Sequence, residues 1–306
     1  MRYGLMTGAD GRRPTLEDMV QFGQRAEAAG FDDLWMAHVR GHDALMTLSI
    51  IGRATTRIRV GTAVTPTQPR HPAALAQQAL TAAAASENRF TLGIGTSHRL
   101  VIEDMLGLSF AQPARHTREY LEVLIPLLRG ETVTFQGQEY HIGGLQLDVP
   151  EATHIPVLVA ALGPRMLALT GELADGTSTW MVGPKTMSSH IVKLISRTAA
   201  AAGRPSPQIV GGFPIVLTNN ISEARARIAQ NLAIYGRLPS YRAMLDREGL
   251  SDPSELALVG NETYLRQAID RLEAIGVTHF NASIAAVEPG AFDRTFEFLA
   301  SLKKGA

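Results

Sequence analysis

The stretch that decides the fold runs from Arg57 to Pro72 and reads Arg-Ile-Arg-Val-Gly-Thr-Ala-Val-Thr-Pro-Thr-Gln-Pro-Arg-His-Pro. It starts as a short apolar run, continues into a loop with three prolines and leads into an Ala-rich helical pattern. A strand that enters a helix through a turn-rich loop is half of a βα unit, and α/β enzymes place their chemistry in such loops. A second unit follows, with a strand at 90–94 and the small-residue loop Gly93-Ile94-Gly95-Thr96-Ser97. We expect the two loops side by side, where they indicate a site for a flat, phosphorylated cofactor.

Short β-like runs alternate with longer helical patterns along the whole chain. The predicted strands are 2–6, 33–37, 58–64, 90–94, 156–161, 176–181, 209–217 and 278–284. The predicted helices are 15–29, 44–54, 73–86, 116–128, 165–173, 186–202, 222–235, 254–275 and 291–302. This order predicts the α/β class and a (β/α)8 TIM barrel, since the alternative, a doubly wound sheet, rarely needs so many units. We expect a single domain over residues 1–306.

Two parts of the chain interrupt the rhythm. Residues 133–147 alternate in polarity around Gln136-Gly137, which predicts a hairpin inserted after the fourth strand, between the fourth helix and the fifth strand. The helical patterns at 222–235 and 254–275 predict extra helices before strand eight. The connection at 95–115 is long for a βα unit, and long loops of this kind are usually functional.

The composition excludes several classes of function. Lys and Arg number 29, as do Asp and Glu, so no net charge draws the protein to nucleic acid or to an anionic membrane. No basic cluster is interleaved with aromatic residues, so we expect no nucleic-acid partner. The absence of cysteine excludes thiolate chemistry and suits a reducing compartment. No signal peptide or membrane span is visible in the sequence, which predicts a cytoplasmic protein without a membrane partner.

The active residues of a barrel lie at the C-terminal ends of its strands. The predicted strand ends are 6–8, 37–38, 63–65, 95–98, 161–164 and 180–181. They are rich in glycine, hydroxyl groups and apolar side chains, poor in carboxylates, and contain no convincing metal cluster. This composition suits the binding of a planar ring and a phosphate better than acid/base hydrolysis.

Two of these strand ends offer backbone N–H groups to an anion. Residues 95–98, Gly-Thr-Ser-His, could cradle a phosphate, although Gly95 could simply permit the turn after the strand. Gly163-Pro164 opens a helix with proline at its first position, so its free N–H groups could meet an anion, with ordinary capping as an equal alternative.

Two side chains are candidates for proton transfer. His38 directly follows the second predicted strand, where it would face the pocket, although a structural role is equally compatible with the sequence. Glu103 lies in the long loop and is a weaker candidate, because loop acids are usually just solvated. We expect His71 to cap the third helix and the pair His42-Asp43 to cap the second.

Six blocks of sequence together resemble the bacterial luciferase-like flavin and deazaflavin oxidoreductases, and they occur in the order found in that family. The blocks are Glu-Ala-Ala-Gly-Phe-Asp-Asp-Leu-Trp (27–35), Thr-Arg-Ile-Arg-Val-Gly-Thr-Ala-Val (56–64), Arg-His-Pro (70–72), Glu-Asn-Arg-Phe-Thr-Leu-Gly-Ile-Gly (87–95), Ala-Ala-Leu-Gly-Pro-Arg-Met-Leu (160–167) and Glu-Leu-Ala-Asp-Gly (172–176). Within the family, the chain is most similar to the branch that uses the deazaflavin coenzyme F-420, and is similar to methylene-tetrahydromethanopterin reductase.

The resemblance implies a (β/α)8 barrel with an insertion after strand four and a non-proline cis peptide with a bulge at Ala63–Val64. It also implies that residues 95–98 hold the coenzyme phosphate and that Gly163-Pro164 lines the same groove. The residues expected to bind the cofactor are Thr7, His38, Ala63, Val64, Thr65, Gly95, Thr96, Ser97, His98, Ala161, Gly163 and Pro164.

The chain departs from the sugar-phosphate dehydrogenases of this coenzyme. They carry an Asp-His pair after strand two and a Glu after the strand-four glycine, where this chain has Ala37-His38 and Thr96. Their acid/base pair is therefore not reproduced, and glucose 6-phosphate is not the expected substrate. The resemblance implies hydride transfer between C5 of the deazaflavin and a small organic substrate, with water or His38 handling any proton.

Two other functions stay open at this point. The first is an FMN-dependent monooxygenase of the same fold, and the second is a non-catalytic flavin- or deazaflavin-binding protein. The resemblance also implies a homodimer that pairs through the second and third helices. The substrate and the direction of hydride transfer have no readable code in the sequence.

Overall fold

The computed structural model describes residues 1–8 and 13–304, and a parallel barrel is its central feature. The strands are β1 Arg2–Thr7, β2 Asp33–Met36, β3 Arg59–Thr62, β4 Thr65–Pro66, β5 Phe90–Gly95, β6 Val133–Gln136, β7 His141–Leu145, β8 Val157–Val159, β9 Gly176–Trp180, β10 Gln208–Leu217, β11 Leu258–Gly260 and β12 His279–Ile284. Strands β1, β2, β3, β5, β8, β9, β10 and β12 form the barrel, which closes because β12 pairs with both β1 and β10. The predicted (β/α)8 barrel is confirmed.

Helices surround the barrel in the expected alternation. They are α1 Leu16–Ala28, α2 Ala44–Arg53, α3 Pro72–Ala85, α4 Pro113–Leu128, α5 Pro164–Leu173, α6 Pro184–Thr186, α7 Lys193–Ala201, α8 Ile221–Leu232, α9 Pro239–Glu248, α10 Glu262–Ala274 and α11 Ala291–Lys304. Short π-helical segments occur at Leu100–Met105 and Met187–Val192, and 3-10 turns occur at Tyr235–Arg237 and Pro253–Leu256. No helix of the described ranges is both long and apolar enough to cross a membrane.

The N-terminal caps of the first three helices explain where they begin. Thr15 caps α1 in a capping box with Asp18, because each residue's side chain accepts a hydrogen bond from the other's backbone N–H. Asp43 accepts from the N–H of Met46 at the start of α2. His71 accepts from the N–H of Ala73 at the start of α3. The predicted capping roles of Asp43 and His71 are confirmed.

Two charged residues of the sequence blocks fix the loops at the N-terminal end of the barrel. The carboxylate of Glu27 accepts hydrogen bonds from the backbone N–H groups of residues 56–58, just before β3. The guanidinium of Arg89 donates to the carbonyl oxygens of Gly52 and Thr55, 2.8 and 2.9 Å away. These bonds satisfy backbone groups that the loop leaves unpaired, which accounts for a Glu and an Arg at these positions.

A cluster of charged and titratable side chains occupies the N-terminal end of the barrel interior. Asp33 lies almost fully buried with an oxygen 3.0 Å from a guanidinium nitrogen of Arg2. Burial raises the pKa of Asp33 to about 6, with Arg2 opposing the change. Burial and the nearby charges of Arg2 and Arg59 lower the pKa of His279 to about 4.

The middle of the barrel is filled by Trp35. A Cβ atom on Gly61 would lie 2.6 Å from the Trp35 ring, and one on Gly4 would lie 2.8 Å from its indole nitrogen. Glycine is therefore required on both sides of the indole, because a larger residue would compete for the same space.

The inserted hairpin is confirmed as strands β6 and β7, which pair antiparallel. Its connection spans residues 137–140, so it is longer than the predicted Gln136-Gly137 turn. The carboxylate of Glu119 in α4 accepts from the N–H groups of Gln138 and Glu139. The longer connection leaves these N–H groups without a partner across the strands. The Glu119 carboxylate satisfies them instead.

Three predicted elements are wrong in detail. The helix predicted at 254–275 is a 3-10 turn, the strand β11 and then α10, because β11 pairs with the far end of the ten-residue strand β10. The connection between the predicted helices 222–235 and 254–275 contains α9. The third predicted strand, 58–64, ends at Thr62, since the chain then bulges and resumes as β4 against β5.

Candidate functional site

The C-terminal end of β3 carries an irregular backbone at the expected place. The peptide between Ala63 and Val64 is cis, which confirms the feature implied by the family resemblance. A Cβ atom on Gly93 would lie 2.0 Å from the carbonyl oxygen of Thr62, and one on Gly95 would lie 2.8 Å from a methyl group of Val64. The two glycines of β5 are therefore needed because the bulge packs directly against their Cα atoms.

Thr65 follows the bulge with its hydroxyl group buried. No hydrogen-bond partner for this hydroxyl exists within residues 1–8 and 13–304, although the side chain is fully inaccessible to solvent. A buried hydroxyl without a partner is costly and calls for an explanation such as a ligand group. The orphaned oxygen lies at the rim of the barrel, where the sequence predicts the cofactor.

The loop after β5 presents backbone donors at the same rim. Ser97 adopts a left-handed conformation with a φ of 57°, which is unusual for a residue with a side chain. Within the part of the chain that the structure describes, the N–H groups of Ser97 and His98 donate to no protein acceptor. Half-buried free donors beside the hydroxyl groups of Thr96 and Ser97 fit the predicted phosphate loop.

The N-terminus of α5 forms a neighbouring part of the rim. Gly163 is the N-cap residue and Pro164 occupies the first turn, without a side-chain capping bond. A Cβ atom on Gly163 would meet no atom within 4 Å, so the surface beside it is open. Ala161 is buried behind it, and the ring of His190 contacts the carbonyl oxygen of Leu162 at 2.8 Å. This arrangement leaves helix N–H groups available to an anion.

His38 is held in a neutral form beside α2. Its Nδ1 atom accepts a hydrogen bond from the N–H of Ala44 at 3.2 Å. A guanidinium nitrogen of Arg70, which also bonds Asp43 at 2.5 Å, lies 3.5 Å from Nε2. Burial and the charge of Arg70 lower the pKa of His38. With a lowered pKa, the imidazole is poorly suited to act as a cationic acid.

Glu103 is engaged by contacts within its own loop, whereas Thr7 is buried at the end of a barrel strand. Both carboxylate oxygens of Glu103 lie 2.7 Å from a guanidinium nitrogen of Arg99, and Glu103 also accepts from the N–H of Phe110. These contacts fix the loop and leave Glu103 few free acceptor sites. Thr7 is buried at the end of β1, and its carbonyl oxygen accepts from the N–H of Ala37.

A hydrogen-bonded chain supports the rim from the side of the inserted hairpin. The hydroxyl of Tyr140 lies 3.5 Å from Nδ1 of His116, and Nε2 of His116 lies 2.9 Å from the hydroxyl of Thr67. The Thr67 N–H donates to the carbonyl oxygen of Gly95 at 3.0 Å. Burial lowers the pKa of His116, so the neutral ring accepts at Nδ1 and donates at Nε2. The hairpin is thereby linked to the end of β5.

Replacing His116 by phenylalanine is expected to weaken cofactor binding about fivefold, because the hydroxyl of Thr67 loses a donor worth roughly 1 kcal/mol. His116→Gln should recover most of the affinity, since its amide group restores a donor. Titration of each variant with the cofactor measures the effect. The exposed His141 supplies a control, His141→Phe. Equal affinity in all three variants would remove His116 from the support of the site.

The sequence analysis missed Thr67, His116, Tyr140 and Tyr241. Tyr241 in α9 contacts the ring of His98, with 5.8 Å between the centroids. No local motif identifies any of these residues, because each acts through a partner on a different element. There is a surface cavity of about 430 Å³ near the start of β8. Another, of about 510 Å³, lies between β11 and α10 and is also lined by Pro184 and Glu248.

Comparison with known proteins identifies the family. The model of the luciferase-like monooxygenase family matches residues 1–279. The chain is 29% identical to the 5,10-methylenetetrahydromethanopterin reductase of Methanolobus tindarius, over 79% of this chain and 74% of the reductase. It is also 29% identical to the F-420-dependent glucose-6-phosphate dehydrogenase of Kineococcus radiotolerans, over 92% of this chain and 85% of the dehydrogenase. By their names, both relatives are oxidoreductases.

A solved structure agrees with this result at the level of the fold. The coenzyme F-420-dependent tetrahydromethanopterin reductase from Methanopyrus kandleri superimposes with a TM-score of 0.82 and 20% identity, over 98% of this chain and 97% of the reductase. On the match of the family model, the chain belongs to the luciferase-like monooxygenase family.

Proposed function

We propose that this protein is an oxidoreductase that uses coenzyme F-420 to reduce or oxidise an organic substrate at the C-terminal rim of the barrel. The observation that carries the proposal is the buried hydroxyl of Thr65, which has no partner in the described residues and lies beside the Ala63–Val64 bulge. The names of the F-420-dependent relatives support the choice of cofactor. When bound, the deazaflavin exchanges a hydride at C5 and activates oxygen poorly.

The residues of the rim have separate tasks in this proposal. The free N–H groups of Ser97 and His98, together with the open N-terminus of α5, bind the cofactor phosphate. Ala63–Val64 supports one face of the ring, and Thr65 bonds one of its polar atoms. Thr7, Gly95, Thr96, Ala161, Gly163 and Pro164 line the same groove.

His38 orients a group of the substrate or cofactor in this proposal. Its Nδ1 is occupied by the N–H of Ala44, so Nε2, which lies beside the Arg70 guanidinium, is the ring atom that would meet that group. Because the ring is kept neutral, any proton consumed by the reaction comes from water rather than from an imidazolium ion. Glu103 is not given the role of proton donor, because Arg99 occupies both of its oxygens.

Replacing Thr65 by valine is expected to separate cofactor binding from stability. Valine has the same shape but removes a buried hydroxyl with no protein partner, so the free energy of unfolding should stay the same or rise. The dissociation constant for F-420 should increase five- to tenfold, as expected for the loss of one hydrogen bond. Quenching of Trp35 and Trp180 fluorescence during titration measures the affinity, and urea unfolding measures the stability.

The same titration with FMN decides the main alternative. Preferential binding of F-420 supports the proposal, whereas preferential binding of FMN indicates an FMN-dependent monooxygenase and directs the search to oxygen uptake. Thr81→Val, an exposed substitution on α3, serves as the control for Thr65→Val. Unchanged F-420 affinity in Thr65→Val would contradict the assigned contact. Binding of F-420 without turnover of any electrophile would indicate a non-catalytic binding protein.

The proposal includes a single-domain cytoplasmic enzyme that forms a homodimer. Exposed apolar side chains on α2 support pairing through this helix. Met46 is 69% exposed and Ile50, one turn later, is 42% exposed. Two apolar groups on one exposed helical face suit the burial that a subunit interface provides.

A further inference from the structure

An aromatic contact crosses the rim of the barrel. His98 follows β5, whereas Tyr241 belongs to α9, and their rings meet with 5.8 Å between centroids. Tyr241 in turn contacts Tyr235, with 4.9 Å between centroids. Burial lowers the pKa of His98 and raises that of Tyr241, so both rings are uncharged near neutral pH. The contact therefore forms a neutral aromatic wall beside the proposed cofactor groove.

The position of α9 over the rim follows from its packing. A second apolar cluster joins α8 and α9 to Met181, which follows β9, and to Val287, which follows β12. Glu248 at the end of α9 accepts from the N–H groups of Lys185 and Thr186 at the start of α6. These contacts hold α9 at the C-terminal ends of the strands, so Tyr241 lies on the side of the barrel where the cofactor is proposed to bind.

The loop that continues from His98 carries several exposed apolar groups. Four large apolar side chains within nine residues are more than one third exposed, namely Leu100, Met105, Leu106 and Leu108. So many exposed apolar side chains close together are unusual on a protein surface and mark a site where an apolar ligand or partner binds. These apolar residues begin two positions after His98, which forms part of the aromatic wall.

The charges of this loop do not favour an anionic substrate. Arg99 is the only Lys or Arg among residues 96–112, and Glu103 binds its guanidinium group with both carboxylate oxygens. A phosphorylated substrate needs unpaired cations or N–H groups to replace its water. The free N–H groups of Ser97 and His98 are assigned to the cofactor phosphate, and the rest of the loop supplies apolar area.

We propose that the loop at 96–112 and Tyr241 form a substrate site for an uncharged, largely apolar organic molecule with a polarised C=O or C=C bond. This inference rests on the proposed function and names the substrate class of the same site. In the direction of reduction, the electrophilic carbon gains a hydride from the reduced coenzyme and the adjacent atom gains a proton from water. The coenzyme is oxidised by two electrons in the same step.

Ligand binding tests the substrate class without any turnover. The uncharged fluorophore N-phenyl-1-naphthylamine is bound to the protein, and 2-alkanones from 2-butanone to 2-decanone compete for its site. Each added methylene group should tighten competition about fourfold, the equivalent of roughly 0.8 kcal/mol for a buried CH2 group. Glucose 6-phosphate should not displace the fluorophore.

Variants connect the result to the loop. The double substitution Leu100→Ser/Leu106→Ser should weaken binding of 2-decanone about tenfold and leave the F-420 affinity unchanged. Ile221→Ser, which replaces a similarly exposed apolar residue on α8, should leave both affinities unchanged. The inference is wrong if competition does not depend on chain length, or if glucose 6-phosphate competes equally well. It is also wrong if the double variant binds 2-decanone normally, or if it alters the sedimentation coefficient without altering ligand binding, which would assign the loop to contact with a second copy.

F-420 titration of the same samples keeps the two proposals distinguishable. Failure to bind F-420 with alkanone binding intact contradicts the proposed function and leaves the apolar site standing. Normal F-420 binding without alkanone selectivity contradicts only the substrate class.

Discussion

Gly93→Ala is expected to reduce the free energy of unfolding by about 3 kcal/mol and to weaken cofactor binding at least tenfold. The new methyl group would lie 2.0 Å from the carbonyl oxygen of Thr62 and 3.1 Å from a methyl group of Val64. Neither the backbone carbonyl nor the bulge can move alone, because β5 pairs with β3 before the contact and with β4 after it. Relief of the overlap must therefore shift the Ala63–Val64 segment, which the proposed cofactor contacts.

Urea unfolding and F-420 titration measure the two effects of Gly93→Ala. Gly143→Ala in the inserted hairpin is the matched control, because its new methyl group meets no atom within 4 Å. We expect Gly143→Ala to change neither the unfolding free energy nor the affinity by a measurable amount. Normal cofactor affinity in a folded Gly93→Ala protein would show that the bulge does not position the ring.

Two side chains of the charged cluster at the N-terminal end of the barrel are expected to change stability with pH in opposite directions. Their effects cancel when both are present. The pKa of Asp33 is raised to about 6 in the folded state, so its stabilising contribution is full below its ordinary pKa and is lost as the pH rises through 6. The pKa of His279 is lowered to about 4, so its contribution is full above its ordinary pKa and is lost as the pH falls through 4. Between pH 4 and 6 the two slopes cancel.

Single substitutions should expose each slope. Asp33→Asn removes the contribution of Asp33, so from pH 4 to 6.5 its free energy of unfolding should rise by about 3 kcal/mol relative to that of the unaltered protein. His279→Gln removes the contribution of His279, so over the same range its free energy of unfolding should fall by about 3 kcal/mol relative to that of the unaltered protein. Urea unfolding at several pH values measures both changes. Parallel pH profiles for the two variants would show that neither group is perturbed as described.

The barrel was predictable because strands and helices differ in the spacing of their apolar residues, and the βα units repeat along the chain. Strand β11 was not, since its three residues lie inside a helical pattern and pair only with the extension of β10. Helix α9 had readable limits, with Pro239 in its first turn and Gly249 in a left-handed conformation after its last residue. Its weak apolar pattern hid these signals.

The candidate site was predictable where topology alone determines position. The ends of parallel strands meet on one face, so Thr65, Ser97 and Gly163 could be grouped from sequence. The links between His116 and Thr67 and between His98 and Tyr241 could not, because they depend on how α4 and α9 pack. The reason for glycine at position 93 also needed the structure, since the atom that it avoids belongs to another strand.

The strand that closes the barrel sets a lower limit on the length of any working fragment. The family-wide sequence pattern ends at residue 279, at the first residue of β12, which completes the ring by bonding β1 and β10. A fragment that ends at residue 279 would keep the other seven strands of the barrel but would expose the unpaired edges of β1 and β10. Such edges recruit strands from other molecules, so the fragment would aggregate rather than act as a smaller enzyme.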